Sequence, residues 1–445
     1  MNRIPRPLIP LHQLVPRPVV SPYLVMASIA RKNLFEDIPR FLVAQAGIIF
    51  AVSLVTIQIG ILRGFTRSTA LLIDNSDADI WISSQEILHF ELTQPIPAER
   101  LTQAQNVEGV ERAEAIALQS GRWRSPSGKI APARIIGYNP EGQLFRLWNM
   151  VDGTQTAIEQ PQSIILDEAN LRSLELDTIG DSASISGVVA ELVGVTQGTQ
   201  SIVSSKFIFT SLENAKAYAA AGLTSTVQCT PDIDGGVTCR TIFERIRNVP
   251  GDEGMSEDAI ALQPLTASDP ISYVLVKAEP GEDIAALQRR LEVAMPDIQA
   301  FSREELSQLT KNYWQNSTGV GFILGLGAAV GVVVGMVVVG QILYSSVSDH
   351  LKEFGTLKAM GASDWVIYGI IIEQALWMAV LGYLPSMALC LGLGAWTFAT
   401  QGITILITPL MGVGVLGITV FMCVGSALFA IQKVTRVDPA IVFKA

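Results

Sequence analysis

Long runs of apolar residues without a charged side chain divide the chain. One run extends from Phe41 to Leu62, a second from Asn312 to Ser348, and a third from Gln374 to Gln432. A helix needs about 20 apolar residues to cross a hydrocarbon core of about 30 Å. The third run is long enough for two such helices, and the polar residues of 397–404 mark the predicted break. The pattern therefore predicts four transmembrane helices, at 41–63, 318–345, 367–395 and 405–431.

Residues 64–317, between the first two predicted helices, have a different pattern. No run there is long and apolar enough to cross a membrane. Alternating and helical spacings predict a β-α-β segment at about 75–145 and another at about 266–305, which pair as one subdomain. The insert at about 150–265 is expected to form a second subdomain. The predicted fold class is a membrane α-helical protein with four transmembrane helices and a large extracytoplasmic α+β domain between helices 1 and 2.

The charge distribution predicts the orientation. Only 16% of the 445 residues are charged, against about 25% in typical soluble domains. The two termini and the 346–366 loop, with Glu373 counted among them, hold 11 basic and 7 acidic residues, whereas residues 63–311 hold 20 basic and 34 acidic. Because Lys and Arg are enriched on the cytoplasmic side, we expect residues 1–40, 346–366 and 432–445 in the cytoplasm. The 1–40 segment is also expected to contain an amphipathic helix.

The first span is expected to be retained rather than cleaved. Forty residues precede it, and the sequence after Leu62 reads RGFTRSTA, without a small-residue cleavage site. A secretory signal has a short basic leader, a shorter apolar core and such a site. The first span is therefore predicted to be a membrane anchor.

The four cysteines fall into two pairs. Cys390 and Cys423 lie inside predicted spans and are interpreted as apolar core residues. Cys229 and Cys239 lie in the extracytoplasmic domain on either side of Asp234-Gly235, a strong turn signal. An oxidising compartment favours a disulfide between them, and two unpaired thiols in a polar loop are the alternative.

Motifs of catalysis are absent from the sequence. It contains no G-x-x-x-x-G-K-[ST], G-x-S-x-G or H-E-x-x-H motif, and its three histidines are scattered. We therefore predict no catalytic residues, no metal site, no cofactor bound by this chain and no nucleic-acid partner.

The second predicted span is rich in glycine. Small residues at four-residue steps allow membrane helices to pack closely. The glycines concerned are Gly321, Gly325, Gly327, Gly331 and Gly335. They predict a packed interface, within the subunit or across a dimer, although glycine is also simply frequent in membrane helices.

A short amphipathic helix is predicted between the second and third spans. Leu351, Phe354, Leu357 and Met360 recur at helical spacing, and Gly361 is suited to end the helix. The helix is expected to lie at the membrane surface. It either turns the chain around or docks a cytoplasmic partner, with Phe354, Leu357 and Met360 protruding towards that partner.

The same stretch resembles a known family. Glu353 to Ala362, E-x-G-x-L-K-A-x-G-A, resembles the signature of FtsX/MacB-type ABC transporter permeases, which include lipoprotein-releasing permeases and DevC-like exporters. Glu373, with Gly382 beyond it, is similar to an acidic residue early in the family's third span. The ending around Val437–Ala440 matches the family more loosely. The four-span layout with one large domain after the first span also agrees with the family.

The resemblance implies a mechanism. A separate ABC ATPase subunit would hold ATP and Mg²⁺, and its motion would pass through the short helix and the spans to the extracytoplasmic domain. The residues implied in ATPase coupling are Leu351, Glu353, Phe354, Gly355, Leu357, Lys358, Met360, Gly361 and Ala362. Glu373 either takes part in coupling or simply reaches water from a shallow position.

The resemblance also implies partners and a location. A second permease copy, identical or homologous, would complete the membrane part. A membrane-fusion adaptor and an outer-membrane channel would join it in tripartite exporters. The location implied is the bacterial inner membrane, with both termini cytoplasmic, the large domain periplasmic and lipids around the spans.

Three functions remain open at this point. The first is the permease of an exporter for lipid, lipoprotein, peptide or drug-like cargo. The second is an FtsX-like signalling subunit that controls an external enzyme such as a cell-wall hydrolase. The third is a membrane-anchored receptor without an ATPase. The extracytoplasmic domain of about 250 residues resembles that of the exporters.

Overall fold

The computed structural model describes residues 37–220, 224–231, 237–244, 262–401 and 405–435. The chain divides into two compact units. The helical unit contains the residues up to Gly60, Leu324–Ala395 and the residues from Ile407 onward. The sheet unit contains Ile61–Ile323 and Trp396–Leu406. The amphipathic helix expected within residues 1–40 falls outside the described residues, apart from 37–40, and so does the family-like ending at 437–444.

The described residues form helices and strands in the following order. The helices are α1 (Ile38–Thr69), α2 (Leu71–Asp74), α3 (Glu99–Gln105), α4 (Glu168–Leu174), α5 (Leu212–Ala220), α6 (Ile284–Ala294), α7 (Arg303–Ser317), α8 (Val320–Asp349), α9 (Leu351–Ala359), α10 (Asp364–Gln401) and α11 (Pro409–Thr435). A short 3-10 helix lies at Gln155–Glu159. The strands are β1 (Ile80–Ser84), β2 (Ile87–His89), β3 (Leu92–Thr93), β4 (Ile96–Pro97), β5 (Val110–Arg124), β6 (Ile130–Tyr138), β7 (Met150–Gly153), β8 (Ser163–Asp167), β9 (Ser182–Ile185), β10 (Val188–Thr196), β11 (Lys206–Ser211), β12 (Thr224–Pro231), β13 (Val237–Glu244), β14 (Pro270–Ile271), β15 (Tyr273–Ala278) and β16 (Ile298–Ser302).

Four of the helices, α1, α8, α10 and α11, are long and apolar enough to cross a membrane. This confirms the four transmembrane helices predicted from the uncharged runs. α8 contains 30 residues, which is about 45 Å of helix at 1.5 Å per residue. It therefore extends beyond a hydrocarbon core of about 30 Å.

One apolar core holds the helical unit together. Ile48 of α1, Val339 of α8, Ile371 of α10 and Met422 of α11 all lie in it and are almost fully buried. Lipid is as apolar as these side chains, so the helices gain little from hiding them and depend on close packing instead.

Glycines of α8 provide part of that close packing. An added methyl group at Gly331 would lie 3.1 Å from Cγ2 of Val55. One at Gly335 would lie 2.9 Å from Cβ of Ala51 and still closer to Sδ of Met422 on α11. A methyl group at Gly327 would lie 2.7 Å from Nε2 of Gln58. These three glycines therefore bring α8 close to α1.

The other two glycines of the predicted packing face lie in different surroundings. A methyl group at Gly325 would meet nothing within 4 Å, and one at Gly321 would meet only the carbonyl oxygen of Gln315, at 3.6 Å. Close packing within the subunit therefore accounts for part of the glycine pattern, and packing across a dimer stays a prediction.

The main sheet of the sheet unit interleaves strands from distant parts of the chain. Its order is β16-β1-β15-β5-β6-β11-β8-β10-β7, with β9 beside β10 and β5. β1 comes from the first predicted β-α-β segment and lies between β16 and β15 of the second, antiparallel to both. The two segments therefore form one sheet, although about 200 residues of sequence separate their central strands.

Helices cover both faces of the central strands. Trp81 of β1 packs in one core together with Leu306 of α7. Ile80 of the same strand packs in another core with Leu287 and Leu291 of α6. Because side chains alternate across a strand, β1 is buried on both faces and reads as a continuous apolar run.

The insert, expected as a second subdomain, largely extends the same sheet. β11 pairs with β6 in parallel, from Lys206 opposite Ala133 to Ser211 opposite Tyr138. β5 is 15 residues long, which is enough to pair with both β15 and β6. The insert nevertheless has its own apolar core, and β12 and β13 form a separate two-stranded sheet.

We expect Gly335→Val to destabilise the helical unit by about 1–3 kcal/mol, because the added methyl groups overlap with Ala51 of α1 and with Met422 of α11. The measurement is thermal unfolding of the purified protein in detergent. Gly325→Val is the matched control, since it places the same side chain in the same helix where nothing lies within 4 Å. An equal loss of stability in both variants would contradict close packing at Gly335.

Candidate functional site

A short helical segment, here called the elbow and defined as residues 349–365, joins two membrane helices. α8 ends at Asp349, α9 runs from Leu351 to Ala359, and α10 begins at Asp364. The elbow contains the signature-like stretch of the sequence. It is the candidate site for a cytoplasmic partner.

α9 ends in a Schellman motif. The Gly361 N–H donates to the Lys358 carbonyl and the Ala362 N–H donates to the Leu357 carbonyl, both at 3.0 Å. Gly361 has a φ of +93°, a conformation that glycine adopts without the strain of a Cβ atom. Glycine at this position therefore ends α9 and lets the chain turn into α10.

The apolar stripe of α9 faces the core of its own unit. Phe354 is only 2% exposed and lies in the core of the helical unit, and Leu357 packs against the same core. Gly355 is buried beside them. The expectation that Phe354 and Leu357 protrude towards a partner is therefore corrected, because α8, α10 and α11 already bury this stripe.

The outward surface of the elbow is mostly polar. Lys352, Glu353 and Thr356 are exposed, and Met360 is 71% exposed. Trp365, which the sequence reasoning did not single out, is also exposed at the start of α10. An isolated tryptophan at the end of a membrane helix is typical of the membrane–water interface, and this signal could have identified it.

The remaining predicted coupling residues are partly buried. Lys358 Nζ lies 2.8 Å from Asp364 Oδ1, so this side chain spans the turn between α9 and α10. Leu351 and Ala362 are half-buried at the two ends of the elbow. Of the nine residues, Glu353, Met360 and Gly361 are therefore the ones that a partner can reach most directly.

An ion pair connects the elbow to the first membrane helix. Arg40, in the first turn of α1, pairs with Asp349 at the end of α8, and its Nε also lies 3.5 Å from Asp37. Exposed ion pairs contribute little to stability. The pair therefore positions the start of α1 beside the elbow more than it stabilises the unit.

Glu373 lies on α10 between two deeply buried neighbours. Ile371 and Gln374 are almost inaccessible, whereas Glu373 is half-buried. Its role in coupling stays a prediction.

His89, in the sheet unit, is a buried titratable residue that the sequence reasoning set aside as isolated. Its ring stacks on Tyr313 at 4.4 Å between centroids and meets the edge of Trp314 at 5.3 Å. Its Nδ1 accepts a hydrogen bond from the Glu91 N–H at 3.3 Å. Burial, and then the charge of Arg134, lowers the pKa of His89 to about 4. The ring is therefore neutral at neutral pH.

The backbone places Cys229 directly opposite Cys239. They are partners in the antiparallel register of β12 and β13, which is compatible with the predicted disulfide. Their side chains are outside the described residues, so the disulfide stays a prediction. Cys390 and Cys423 are buried free thiols of the helical unit.

The described part of the chain contains no cluster of three or more His, Cys, Asp or Glu side chains that could hold a metal ion.

Two family matches cover most of the chain. The MacB-like periplasmic core domain matches residues 41–294. The FtsX-like permease C-terminal family matches residues 325–439, which include the elbow. No curated protein matches the chain by sequence.

Solved structures with some likeness include three domains of membrane proteins. The periplasmic region of MacB from Actinobacillus actinomycetemcomitans is 12% identical, with a TM-score of 0.33 over 54% of this chain and 96% of that one. The extracellular domain of the noncanonic ABC-type transporter YknZ from Gram-positive bacteria is 13% identical, with a TM-score of 0.30 over 50% and 99%. A domain of a putative permease protein from Porphyromonas gingivalis is 13% identical, with a TM-score of 0.31 over 51% and 92%. TM-scores this low do not support a conclusion about the family. The family assignment rests on the two family matches along the sequence.

We expect the stability of the protein to fall between pH 7 and pH 5 in a way that depends on His89. Its pKa is about 4 in the folded protein and about 6.5 in an unfolded chain. The unfolded state therefore binds the proton first as the pH falls, which costs about 2 kcal/mol of stability by pH 5. The measurement is chemical unfolding of the protein in detergent across this range.

His89→Asn is the matched control for this measurement. It keeps a hydrogen-bond acceptor for the Glu91 N–H but does not titrate. The free energy of unfolding of the original protein, minus that of this variant, should be about 2 kcal/mol smaller at pH 5 than at pH 7. A difference that stays constant would contradict the neutral, buried state of His89.

We also expect alkylation to distinguish the two pairs of cysteines. In denatured protein without reductant, alkylation should modify two of the four cysteines. After reduction it should modify all four. The intact mass of the protein reports how many cysteines carry the alkyl group. Cys229→Ser should leave Cys239 free and give three modified thiols without reductant. Four modified thiols in the unreduced original protein would rule out the disulfide.

Proposed function

Because the chain belongs to the FtsX/MacB-type family of ABC transporter permeases, we propose that it is the membrane subunit of an exporter powered by a separate ATPase. ATP and Mg²⁺ are held by that ATPase subunit and not by this chain. The elbow receives the motion of the ATPase. The helices α1 and α8 pass that motion to the sheet unit.

The geometry of the elbow supports this role. α9 is held to the helical unit by Phe354, closed by the Schellman motif at Gly361 and joined to α10 through the Lys358–Asp364 ion pair. A short helix fixed in these three ways moves together with its neighbours rather than swivelling. On its outward surface, Met360 is an apolar side chain surrounded by polar ones. Protein interfaces have the same arrangement, an apolar centre with a polar rim.

The helices on either side are suited to carry a displacement. α8 is one unbroken helix from Val320 to Asp349, and α1 is unbroken from Ile38 to Thr69. The ion pair of Arg40 with Asp349 joins the start of α1 to the end of α8. A push on the elbow therefore acts on both helices.

The assembly we propose contains two permease subunits, identical or homologous, and two ATPase subunits. The sheet unit lies in the periplasm of a bacterial inner membrane, an orientation that rests on the Lys and Arg excess of the termini and the elbow loop. A membrane-fusion adaptor and an outer-membrane channel complete the exporter.

The cargo we propose is lipid, lipoprotein, peptide or a drug-like compound. We place export first because of the large domain that the MacB-like match covers at residues 41–294. An FtsX-like subunit that controls an external enzyme is the second candidate, and it shares the elbow and the ATPase. The two functions differ in what the sheet unit binds.

The proposal predicts that an ABC ATPase co-purifies with the full chain from membranes of cells that express both. We expect Met360→Asp to reduce the amount of bound ATPase by about fivefold or more, because it places a charge at the apolar centre of the docking surface. The measurement is the ratio of the two proteins after affinity purification, together with ATP hydrolysis in nanodiscs.

Val293→Asp is the matched control, since Val293 is 81% exposed on α6 of the sheet unit and should leave the ratio unchanged. Absence of any ATPase in the original preparation would overturn the exporter and the signalling function together and leave the receptor. An ATPase whose amount is unaffected by Met360→Asp would overturn the docking role of the elbow.

A further inference from the structure

The hairpin of β2 and β3 buries one polar side chain and exposes two apolar ones. His89 and Phe90 point inward and are almost fully buried, whereas Leu88 and Leu92 are 56% and 51% exposed. A hairpin with one face in water normally places its apolar side chains inward and its polar ones outward. This one buries a histidine and exposes two leucines.

A neighbouring loop adds a third apolar side chain to this surface. Ile202 is 43% exposed, and its N–H donates to Ser68 Oγ of α1 at 3.4 Å. The loop is joined to the hairpin, since Ser204 Oγ donates to the carboxylate of Glu91. We call Leu88, Leu92 and Ile202 the apolar tip.

The height of the apolar tip relative to the membrane follows from contacts of the sheet unit with the last turns of α1. Gln315 Nε2 donates to Thr66 Oγ1 at 3.0 Å. Thr66 lies four residues beyond Leu62, where the first apolar run ends, which is about 6 Å at 1.5 Å per residue. The headgroup layer on each side of a bilayer is about 5–7 Å thick. Gln315 therefore lies in the headgroup layer.

The hairpin shares this height. Tyr313 and Trp314 directly precede Gln315, and His89 stacks on the first and touches the edge of the second. Tyrosine and tryptophan are enriched at the membrane–water interface. Since His89 is held at this level, the leucines on either side of it are exposed to the headgroup region and not to bulk water.

Two further features of the sheet unit fit a lipid surface. Arg63 and Arg67 are exposed on the last turns of α1, where phosphates of lipid headgroups attract basic side chains. Phe322 and Ile323 are exposed apolar side chains in the first turn of α8, at the end where this helix enters its predicted span. Polar anchors and apolar side chains therefore occur at the same end of the sheet unit.

We propose that the apolar tip inserts into the headgroup–acyl boundary of the adjacent leaflet, so that phospholipid is its partner. The stack of His89 on Tyr313 sets the height of the tip. The surface is separate from the elbow, and the inference does not depend on the ATPase.

Photocrosslinking of the full chain in phospholipid nanodiscs tests this. p-Benzoylphenylalanine replaces Leu92 in one preparation, Leu88 in a second and Val293 in a third. Val293 is also apolar and exposed, but it lies on α6, which contributes to the other face of the sheet. After illumination, the intact mass reports the fraction of chains that carry one phospholipid.

We expect at least fivefold more lipid adduct at positions 88 and 92 than at position 293. Lipid adduct at positions 88 and 92 no higher than at position 293 would overturn the proposal. So would crosslinks from the tip to a second copy of the chain in place of lipid, because they would identify the tip as a protein interface.

Discussion

The chain leaves the membrane after α1 and must return to it before α8, and the pairing of β1 with β15 and β16 brings these two points together. Asp74, just beyond α1, accepts hydrogen bonds from Ser307 at 2.5 Å and from Lys311 at 2.8 Å, although Lys311 lies 237 residues further along the chain. Arg303 donates to the carbonyl of Ser76 at 3.0 Å. Closing a loop of this length costs only slightly more entropy than closing a short one. The rest of the sheet unit is built on this closure.

This closure also determines what the sheet unit can transmit. β1 pairs with β16 through five residue pairs, from Ile80 opposite Ser302 to Ser84 opposite Ile298, and α7 follows β16 directly. The centre of the sheet therefore lies between the end of α1 and the start of α8. α6 and α7 cover its strands on opposite faces. In the function we propose, this part of the sheet would be the first to receive a displacement of the membrane helices.

Local signals in the sequence predict the individual helices and strands, but not which of them pair or pack with one another. The four spans follow from the absence of charge, and the end of α9 follows from Gly361, because both depend on a few neighbouring residues. The order of the sheet could not be predicted in the same way. The parallel pairing of β11 with β6 joins strands that are far apart in sequence, and no short pattern encodes it. His89 is a similar case, since the aromatic rings that bury it lie more than 200 residues away.

The elbow was only half predictable, for a different reason. A helical stripe of Leu351, Phe354 and Leu357 shows that one face is apolar, but not whether its own subunit or a partner covers that face. The covering surface comes from α8, α10 and α11, which the stripe itself does not specify. Phe354 is therefore buried in its own subunit instead of protruding, while the expected end of the helix at Gly361 agrees with the structure.

Exposed apolar side chains have three different meanings in this chain, and their neighbours distinguish them. On α8, Val330, Val333 and Val337 are exposed in a row without polar side chains between them, as expected for a surface in contact with hydrocarbon. At the elbow, Met360 stands among exposed charged residues, and a protein partner is the cover we propose for it. In the hairpin, Leu88 and Leu92 flank a histidine that is itself buried, and aromatic rings lie behind it. The lipid headgroup region is polar and apolar at once, and it is the layer we propose for that surface.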